Sequence, residues 1–510
     1  MFDLLLSGVD LVATPSVILL VALGCAGGLL VGALPGLGPL MGIILLLPAA
    51  FYLPPVAGMG MLIAIYVGGS CGGAISAILL RIPGTPLAAA TLLDGYPLAK
   101  KGRAGDAIGV AISASAIGGM FGGVILVFFA PMLASIAVNF GPPEYFALAV
   151  TGLMAIAVVS SESTTKGLLT GCLGILIAVV GTDPMSNAQR FTFGDSNLSG
   201  GIHIVAIVVG LFAISEAAYQ IEEGRLSATP KVLNAKVSFR SLFLTLGHRW
   251  NLLRSSIIGT FFGALPGASG IIASFTSYAI AKARAKPEEA YGQGAIGGVV
   301  ATESSNNACC GGALIPTLAL AIPGDSACAV LMGALMLLGL QPGPQLFSLS
   351  GDVVGGVFLA YLLANVFLFV LGILMTPIFV SVLKLRKQYL VPSVLLMSMI
   401  GVYAIQSSVY DLWMAFLFGI VGYVLRKFQY PLSPIVIGVI LGPIAEGNLR
   451  RSLLLSQDGL SIFAERPIAM AILFIDLIVI LWAILPKETR RRLLPGRRLS
   501  PSEMQNASAD

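Results

Sequence analysis

Residues 303–324, ESSNNACCGGALIPTLALAIPG, combine an acid, two adjacent amides, a Gly pair and two prolines in an otherwise apolar run. Asn306 and Asn307 can donate to a carboxylate, or offer carbonyl oxygens to a transient Na⁺, without the desolvation cost of an ion. The alternative role of the two amides is interhelical hydrogen bonding between packed helices. A lipid-facing helix needs none of these residues, whereas a broken helix that lines a polar cavity does.

A weaker copy of this pattern occurs at residues 68–84, GGSCGGAISAILLRIPG, and both copies end in Ile-Pro-Gly. A Pro-Gly break exposes backbone amides that suit an anion and carbonyls that suit Na⁺, although a plain kink is the alternative. The motif GALPG also occurs twice, at 32–36 and 263–267, and predicts two further turns. The candidate substrate- or ion-binding residues at these breaks and turns are Pro35, Gly36, Gly38, Pro83, Gly84, Thr85, Pro266, Gly267, Ser269, Pro323, Gly324 and Ser326.

Two charged residues near the breaks have alternative roles. Arg81 directly precedes the first break, where it could pair with a substrate carboxylate or snorkel to the surface. Glu303 could hold an ion or a proton, or could lie in a loop near the membrane surface. Asp94 and Asp325 are more typical of turn or capping residues.

The elements that must position these residues are membrane helices. The 510 residues are 57% apolar and 10% charged, whereas a soluble domain is about 25% charged. Apolar runs of about 20 residues span a bilayer, and the chain has room for roughly ten to twelve. We therefore predict an all-α polytopic membrane protein with no nucleic-acid partner. The six cysteines have no metal-ligand spacing with histidine, so we expect no bound metal or cofactor.

The order of the motifs predicts an internal repeat. GALPG, GGA and IPG recur in the same order, and basic turns follow IPG in the first half but GALPG in the second. Because basic turns stay in the cytoplasm, this predicts two inverted-topology repeats with broken helices or re-entrant hairpins. Segment 255–281 reads as such a hairpin, with GALPG at its tip. The predicted divisions are a first membrane repeat at 1–222, a cytoplasmic linker at 223–254, a second repeat with trailing helices at 255–486, and a basic cytoplasmic tail at 487–510.

Several motifs together resemble a known family. They are GALPGLGP (32–39), GGAISAILLRIPGTP (72–86), LDGYPLAKKGRAG (93–105), GPPEYFAL (141–148), GALPGASG (263–270) and the stretch 303–324. The chain resembles the large membrane subunit of the bacterial tripartite tricarboxylate transporters, from which it departs at Arg81 and at Cys309–Cys310. The resemblance implies a small four-helix membrane subunit and a periplasmic solute-binding protein as partners. It also implies secondary uptake of a carboxylate across the inner membrane, driven by Na⁺ or H⁺.

We therefore expect a binding-protein-dependent symporter for tricarboxylates or related organic carboxylates, with the C-terminus in the cytoplasm. The alternative is a stand-alone carrier or channel for small organic anions. An enzyme is not expected, because the sequence has no convincing nucleophile–base pair, no P-loop and no ATP-binding domain.

Overall fold

The computed structural model describes residues 2–34, 37–159, 164–222, 237–266, 270–286, 288–383, 387–456 and 459–484. In these residues the chain is helical, apart from one antiparallel pair of short strands, β1 Gly181–Thr182 and β2 Gln189–Arg190. The helices are α1 Phe2–Val12, α2 Pro15–Ala33, α3 Gly38–Phe51, α4 Pro55–Leu80, α5 Leu92–Leu98, α6 Ala104–Ala137, α7 Pro142–Val159, α8 Thr164–Ala178, α9 Ile204–Val208, α10 Ser215–Glu222, α11 Ser241–Leu246, α12 Arg249–Ala264, α13 Gly270–Ala283, α14 Ile296–Leu320, α15 Ser326–Leu337, α16 Pro344–Leu349, α17 Gly351–Leu374, α18 Thr376–Val382, α19 Lys387–Gln406, α20 Val409–Lys427, α21 Ser433–Leu455, α22 Ile462–Glu465 and α23 Pro467–Ile484. Short 3₁₀ or π turns occupy Pro86–Ala89, Ala99–Arg103, Ser196–Leu198, Val209–Ile214 and Gly459–Ser461.

Six helices in the described ranges are long and apolar enough to cross a membrane, and five shorter apolar helices accompany them. This confirms a helical membrane protein, while the count of ten to twelve spans stays a prediction. The helix α14 has 25 residues yet is not one of the six, because Glu303, Asn306 and Asn307 lie within it. All but the first and last few positions of both α4 and α14 are buried, so these two helices form the centre of the molecule.

The two central helices cross near their middles and run in opposite directions. The side-chain amide of Asn306 donates to the carbonyl of Ser70 at 3.0 Å, and that of Asn307 donates to the carbonyl of Val67 at 3.1 Å. Thr91, which follows α4 in the chain, donates a hydrogen bond from its hydroxyl to that of Thr302, near the start of α14. The end of one helix therefore lies beside the beginning of the other.

Helix α21 shows at which end of the bundle the central helix α14 begins and at which end it stops. It follows α20 closely and is about 34 Å long at 1.5 Å per residue. Lys427, at the end of α20, pairs with Glu222, whereas Arg450 lies near the far end of α21. We call these ends the Glu222 face and the Arg450 face. The residues Leu320 and Ala321 lie near Arg451, so α14 ends at the Arg450 face and begins at the Glu222 face.

Two basic pairs of the second half lie at different ends of the bundle. Arg426–Lys427 and Arg450–Arg451 both interrupt apolar runs and both read as cytoplasmic loops under the positive-inside rule. In the structure they lie at opposite ends of α21, so the two pairs are on different faces of the bundle. Arg450, near the end of α21, has a structural role, because it forms an ion pair at 2.8 Å with Asp183 in the β1–β2 turn.

Two hairpins pack on the central helices. Helix α2 runs parallel to α4, with Gly28 against Ile65 and Gly32 against Gly69, and α3 returns beside α4. Helix α12 runs parallel to α14 in the same way, with Gly263 against Cys309, and α13 returns so that the Ser274 hydroxyl donates to the Thr302 carbonyl at 3.2 Å. Each hairpin enters from one face and turns near the middle of its central helix.

The second hairpin was predicted at 255–281 with GALPG at its tip. Its limbs are α12 and α13, which run along α14 in opposite directions, so the helical hairpin is confirmed, while its re-entrant position in a membrane stays a prediction. The helix α12 starts at Arg249, before the predicted start. Asn251 explains the early start, because its side-chain amide donates to the Gly297 carbonyl at 2.7 Å and so anchors the first turn.

Asp94 connects the first half of the chain to the start of α14. Its buried carboxylate accepts hydrogen bonds from the backbone amides of Gly292, Gly294 and Ala295 at 2.7–2.8 Å. Ala295 immediately precedes α14, so the negative charge also lies at the positive end of that helix. This confirms the capping role expected of Asp94, although the helix that it caps is distant in sequence.

We predict that Asp94→Ala destabilises the folded chain by about 2–4 kcal/mol, because buried amides lose a charged acceptor. The measurement is the unfolding temperature of the detergent-purified protein. Asp106→Ala is the control, since Asp106 pairs only with the exposed Arg103 and such pairs contribute about 0–1 kcal/mol. Equal unfolding temperatures for the two variants would show that the cap is unimportant.

Candidate functional site

The amide pair lies at the crossing of α4 and α14. Asn306 and Asn307 are 1% and 0% exposed, and each uses its NH₂ group to bind a carbonyl of α4. The Oδ1 atoms of both side chains are buried and accept no hydrogen bond from any described residue. A buried acceptor without a partner costs about 1–3 kcal/mol. The amides therefore serve interhelical bonding and, in addition, leave two oxygens available to a cation or donor.

The helix breaks lie at the two Ile-Pro-Gly motifs, as the sequence predicts. Both α4 and α14 continue through their Gly pairs and end only at Leu80 and Leu320. The glycines allow close packing instead, because Gly72 faces the backbone of α2 and Gly312 that of α12. The amide pair therefore lies within a continuous helix, and the chain breaks at the Ile-Pro-Gly motifs.

At each motif the chain reverses and returns along its own helix. Arg81 and Ala321 both adopt left-handed backbone conformations, with φ of 59° and 56°. After the reversal, the Gly84 amide donates to the Gly73 carbonyl at 3.2 Å, and the Gly324 amide donates to the Thr317 hydroxyl at 3.2 Å. Pro83 and Pro323 lie within these return segments. The two segments carry the chain from the ends of α4 and α14 back toward the hairpins.

The residues after the two breaks differ. Thr85 is 2% exposed, its hydroxyl has no partner among the described residues, and it lies against Gly73 and Gly38. Ser326 instead donates to Ser433 at 2.7 Å, and Asp325 accepts from the Cys328 amide at 2.8 Å as the N-cap of α15. The capping prediction for Asp325 is therefore confirmed, and its second oxygen accepts from the Tyr66 hydroxyl.

Arg81 does not lie beside the amide pair. It is exposed at the end of α4, and its guanidinium lies 5.6 Å from the centre of the Tyr96 ring. This position fits the snorkelling alternative rather than a buried pair with a substrate. Among the turn candidates, Gly38 begins α3 beside Thr85, and Pro266 is half-buried at the second tip. Four further candidates lie outside the described residues, namely Pro35, Gly36, Gly267 and Ser269.

Glu303 is fully buried within α14, so the surface-loop alternative is wrong. Thr91 donates a hydrogen bond to one carboxylate oxygen, and Ser115 donates to the other at 3.0 Å. Thr302 adds a further hydroxyl, 3.0 Å from that of Thr91. In the ranges that the structure covers, no basic side chain pairs with this carboxylate. An isolated buried carboxylate is unfavourable unless a proton or cation accompanies it.

Sequence reasoning missed the hydroxyls around Glu303. Thr91 follows the first break, and Ser115 lies on α6, far from Glu303 along the chain. One weak signal for Ser115 was its position beside Ser113 in an otherwise apolar, Gly- and Ala-rich helix. Tyr66 was missed as well, because a lone tyrosine in an apolar run gives no sign that it binds Asp325.

The chain is similar in sequence to a known family and to two curated proteins. Residues 18–437 match the tripartite tricarboxylate transporter TctA family. One relative, from Agrobacterium vitis, is an uncharacterized 52.8 kDa protein in the TAR-I ttuC' 3' region, 36% identical over 95% of this chain and 96% of its own length. Another protein of that organism, from the TAR-II ttuC' 3' region, is 32% identical over 46% of this chain and 97% of its own length.

No solved structure matches the chain significantly. The family match covers most of the sequence, including both central helices, both hairpins and both Ile-Pro-Gly breaks. The chain therefore belongs to the tripartite tricarboxylate transporter TctA family, whose members are membrane transporter subunits and not enzymes.

Proposed function

We propose that this chain is the large membrane subunit of a binding-protein-dependent secondary transporter. It imports tricarboxylates or related organic carboxylates together with Na⁺ or H⁺. Its partners are a small four-helix membrane subunit and a periplasmic solute-binding protein. The observation that carries the proposal is the pair of antiparallel central helices. Beside each of them lie the tip of a hairpin and the segment in which the chain returns after the Ile-Pro-Gly motif. Buried oxygens without partners lie among these elements, at Thr85, Asn306 and Asn307.

We also propose that the two halves are inverted repeats. Matched contacts support this, because each hairpin meets its central helix in the same way and both breaks begin with a left-handed residue. In the first half Gly28 contacts Ile65, Gly32 contacts Gly69 and Gly72 contacts Leu29. The corresponding contacts in the second half, in the same order, are Gly259 with Ser305, Gly263 with Cys309 and Gly312 with Thr260. Since α4 and α14 are antiparallel, the axis that relates the halves lies in the membrane plane, as in other secondary transporters.

We further propose that the Glu222 face lies on the cytoplasmic side of a bacterial inner membrane. The loop between α13 and α14 lies on this face and carries Lys282, Arg284 and Lys286, which the positive-inside rule assigns to the cytoplasm. Helix α23 starts near Gly141 on the Arg450 face and contacts Thr151 through Asp476, so it ends toward the Glu222 face. The C-terminal tail then follows in the cytoplasm.

In this proposal the central oxygens coordinate the coupling cation, because amide and hydroxyl oxygens are suitable ligands for Na⁺. Glu303 lies one turn before Asn306 on α14 and supplies the only acidic group in that helix. A carboxylate there can bind a proton or contribute charge to a Na⁺ site. The backbone amides exposed at the breaks are available to the substrate anion.

The test is uptake of citrate by proteoliposomes that contain all three components. We predict that Asn306→Ala with Asn307→Ala lowers uptake about 10–100-fold, corresponding to the loss of roughly 1.5–3 kcal/mol of ion binding. Asn365→Ala is a matched control, because this buried amide lies on α17 and its Oδ1 also has no partner in the described part of the chain. Unchanged uptake and unchanged cation dependence in the double variant would refute the site. Uptake that persists without the binding protein would favour a stand-alone carrier or channel.

A further inference from the structure

A cavity of about 320 Å³ opens at the Arg450 face, beside the end of α14. It lies between α7, α14, α16 and α21, and Leu320 and Ala321 form part of its wall. Its volume is at the lower end of the range of small-molecule sites. The polar side chains of the wall are those of Tyr145, Gln341, Gln345, Asn448 and Arg451, and no acidic residue lines it among the described residues.

The two adjacent arginines of α21 have different surroundings. Arg450 donates to both carboxylate oxygens of Asp183 at 2.8 and 2.9 Å, and it is not among the residues that line this cavity. Arg451 lines the cavity and makes no ion pair or hydrogen bond with any residue that the structure describes. The cavity therefore has a positive charge that nothing in its wall neutralises.

The ion pair between Arg450 and Asp183 persists over a wide range of pH. The Ser186 hydroxyl and the Met185 amide donate to Asp183, and together with Arg450 and Arg190 they hold the pKa of this carboxyl well below its usual value. A carboxyl with a lowered pKa keeps its charge, and its contribution to stability, until the pH falls far below neutrality. Arg450 thus stays paired with Asp183 at any pH used for transport, whereas the guanidinium of Arg451 remains available to bind an anion.

We propose that this cavity is a vestibule that binds a small carboxylate before it reaches the second break. A guanidinium binds a carboxylate through two parallel hydrogen bonds, and the amides of Gln341, Gln345 and Asn448 can donate to its remaining oxygens. The vestibule leads toward the break, because Leu441 lines the cavity and also meets Gly152 beside Pro323. This inference rests on the proposed function, of which it specifies the entry site.

Thiol labelling tests the vestibule without a transport assay. Gln345, exposed on the cavity wall, is replaced by Cys in a full-length chain that carries Cys172→Ser to remove the exposed native thiol. Permeabilised membrane vesicles are treated with an anionic or a cationic methanethiosulfonate reagent. We expect the ratio of anionic to cationic labelling rates to fall about five- to tenfold on Arg451→Gln, since one nearby charge is removed.

The controls separate charge from geometry. Arg451→Lys should keep the ratio, and Arg240→Gln should leave it unchanged, because Arg240 is an exposed arginine outside the cavity wall. Citrate, succinate and acetate at equal ionic strength are added as probes. We expect at least one of them to slow labelling in the chain with Arg451, with weaker protection after Arg451→Lys because the two-bonded geometry is lost.

The outcomes distinguish this inference from the proposed function. A ratio that does not depend on Arg451, or no protection by any of the three carboxylates, overturns the vestibule even where reconstituted uptake persists. A labelling ratio that depends on Arg451, together with slower labelling in the presence of a carboxylate, supports the vestibule even if reconstituted uptake is absent. In that case only the proposed transport function is refuted.

Discussion

Replacing Glu303 by Gln is expected to lower cation-driven uptake about 10–100-fold, which corresponds to the roughly 1.5–3 kcal/mol of a lost charged ligand. The carboxylate is fully buried, Thr91 and Ser115 donate to it, and no basic side chain pairs with it in the described part of the chain. Gln keeps the size and one acceptor oxygen but cannot carry a proton or a charge. Exchange of labelled for unlabelled substrate, which needs no net cation movement, should persist.

The matched control for this variant is Glu144→Gln. Glu144 is also a buried acid, 3% exposed, but it lies at the start of α7, and among the described residues it accepts only from the Gly141 amide, at 2.8 Å. Its replacement should leave cation-driven uptake within about twofold, because a single hydrogen bond near a helix end contributes only about 0.5–1.5 kcal/mol. If Glu303→Gln retains full cation-driven accumulation, Glu303 does not carry the coupling ion.

The second large effect is expected at the close approach of α2 to α4. A β-carbon on Gly32 would lie 2.9 Å from the Cα of Gly69 and closer still to its carbonyl oxygen. These are backbone atoms, which cannot rotate away as a side chain can. Gly32→Ala should therefore destabilise the folded chain by about 1–3 kcal/mol or more and abolish uptake, because the first hairpin no longer fits against its helix.

Gly27→Ala provides a control within the same helix. A β-carbon at Gly27 would have no neighbour within 4 Å, so this change should stabilise α2 by about 0.5–1 kcal/mol. The measurements are the unfolding temperature in detergent and the yield of monodisperse protein. If the two halves are equivalent, Gly263→Ala should behave like Gly32→Ala, since it would collide with the backbone of Cys309. Equal stability of the Gly32 and Gly27 variants would contradict the close approach.

Local chemistry explains which parts of the fold were predictable. The apolar content required membrane helices, and the second GALPG between two short apolar limbs required a hairpin, now seen as α12 and α13. The ends of α4 and α14 at Leu80 and Leu320 follow from the Ile-Pro-Gly motifs that come just after them, because proline cannot continue a helix. These features depend on residues close together in sequence.

The partners of the polar residues were not predictable, because they come from distant segments. The NH₂ groups of the amide pair bind carbonyls of α4, and their Oδ1 atoms have no partner among the described residues. Glu303 became a fully buried acid surrounded by hydroxyls because α5 and α6 bring Thr91 and Ser115 to it. Likewise, Arg450 and Arg451 are neighbours in sequence, but successive helical positions point about 100° apart and so face different surroundings.

The sequence by itself determined the class of protein, the order of its motifs and the presence of buried polar residues, because composition and helix breaking are local properties. The stretch 303–324 also identified the central helix correctly. Only the tertiary structure decided that this helix is continuous through its Gly pair, and that the glycines serve close packing rather than a break. It also decided which oxygens are left without partners. A hydrogen bond between α4 and α14 joins residues more than two hundred positions apart, and no local pattern specifies such a partner.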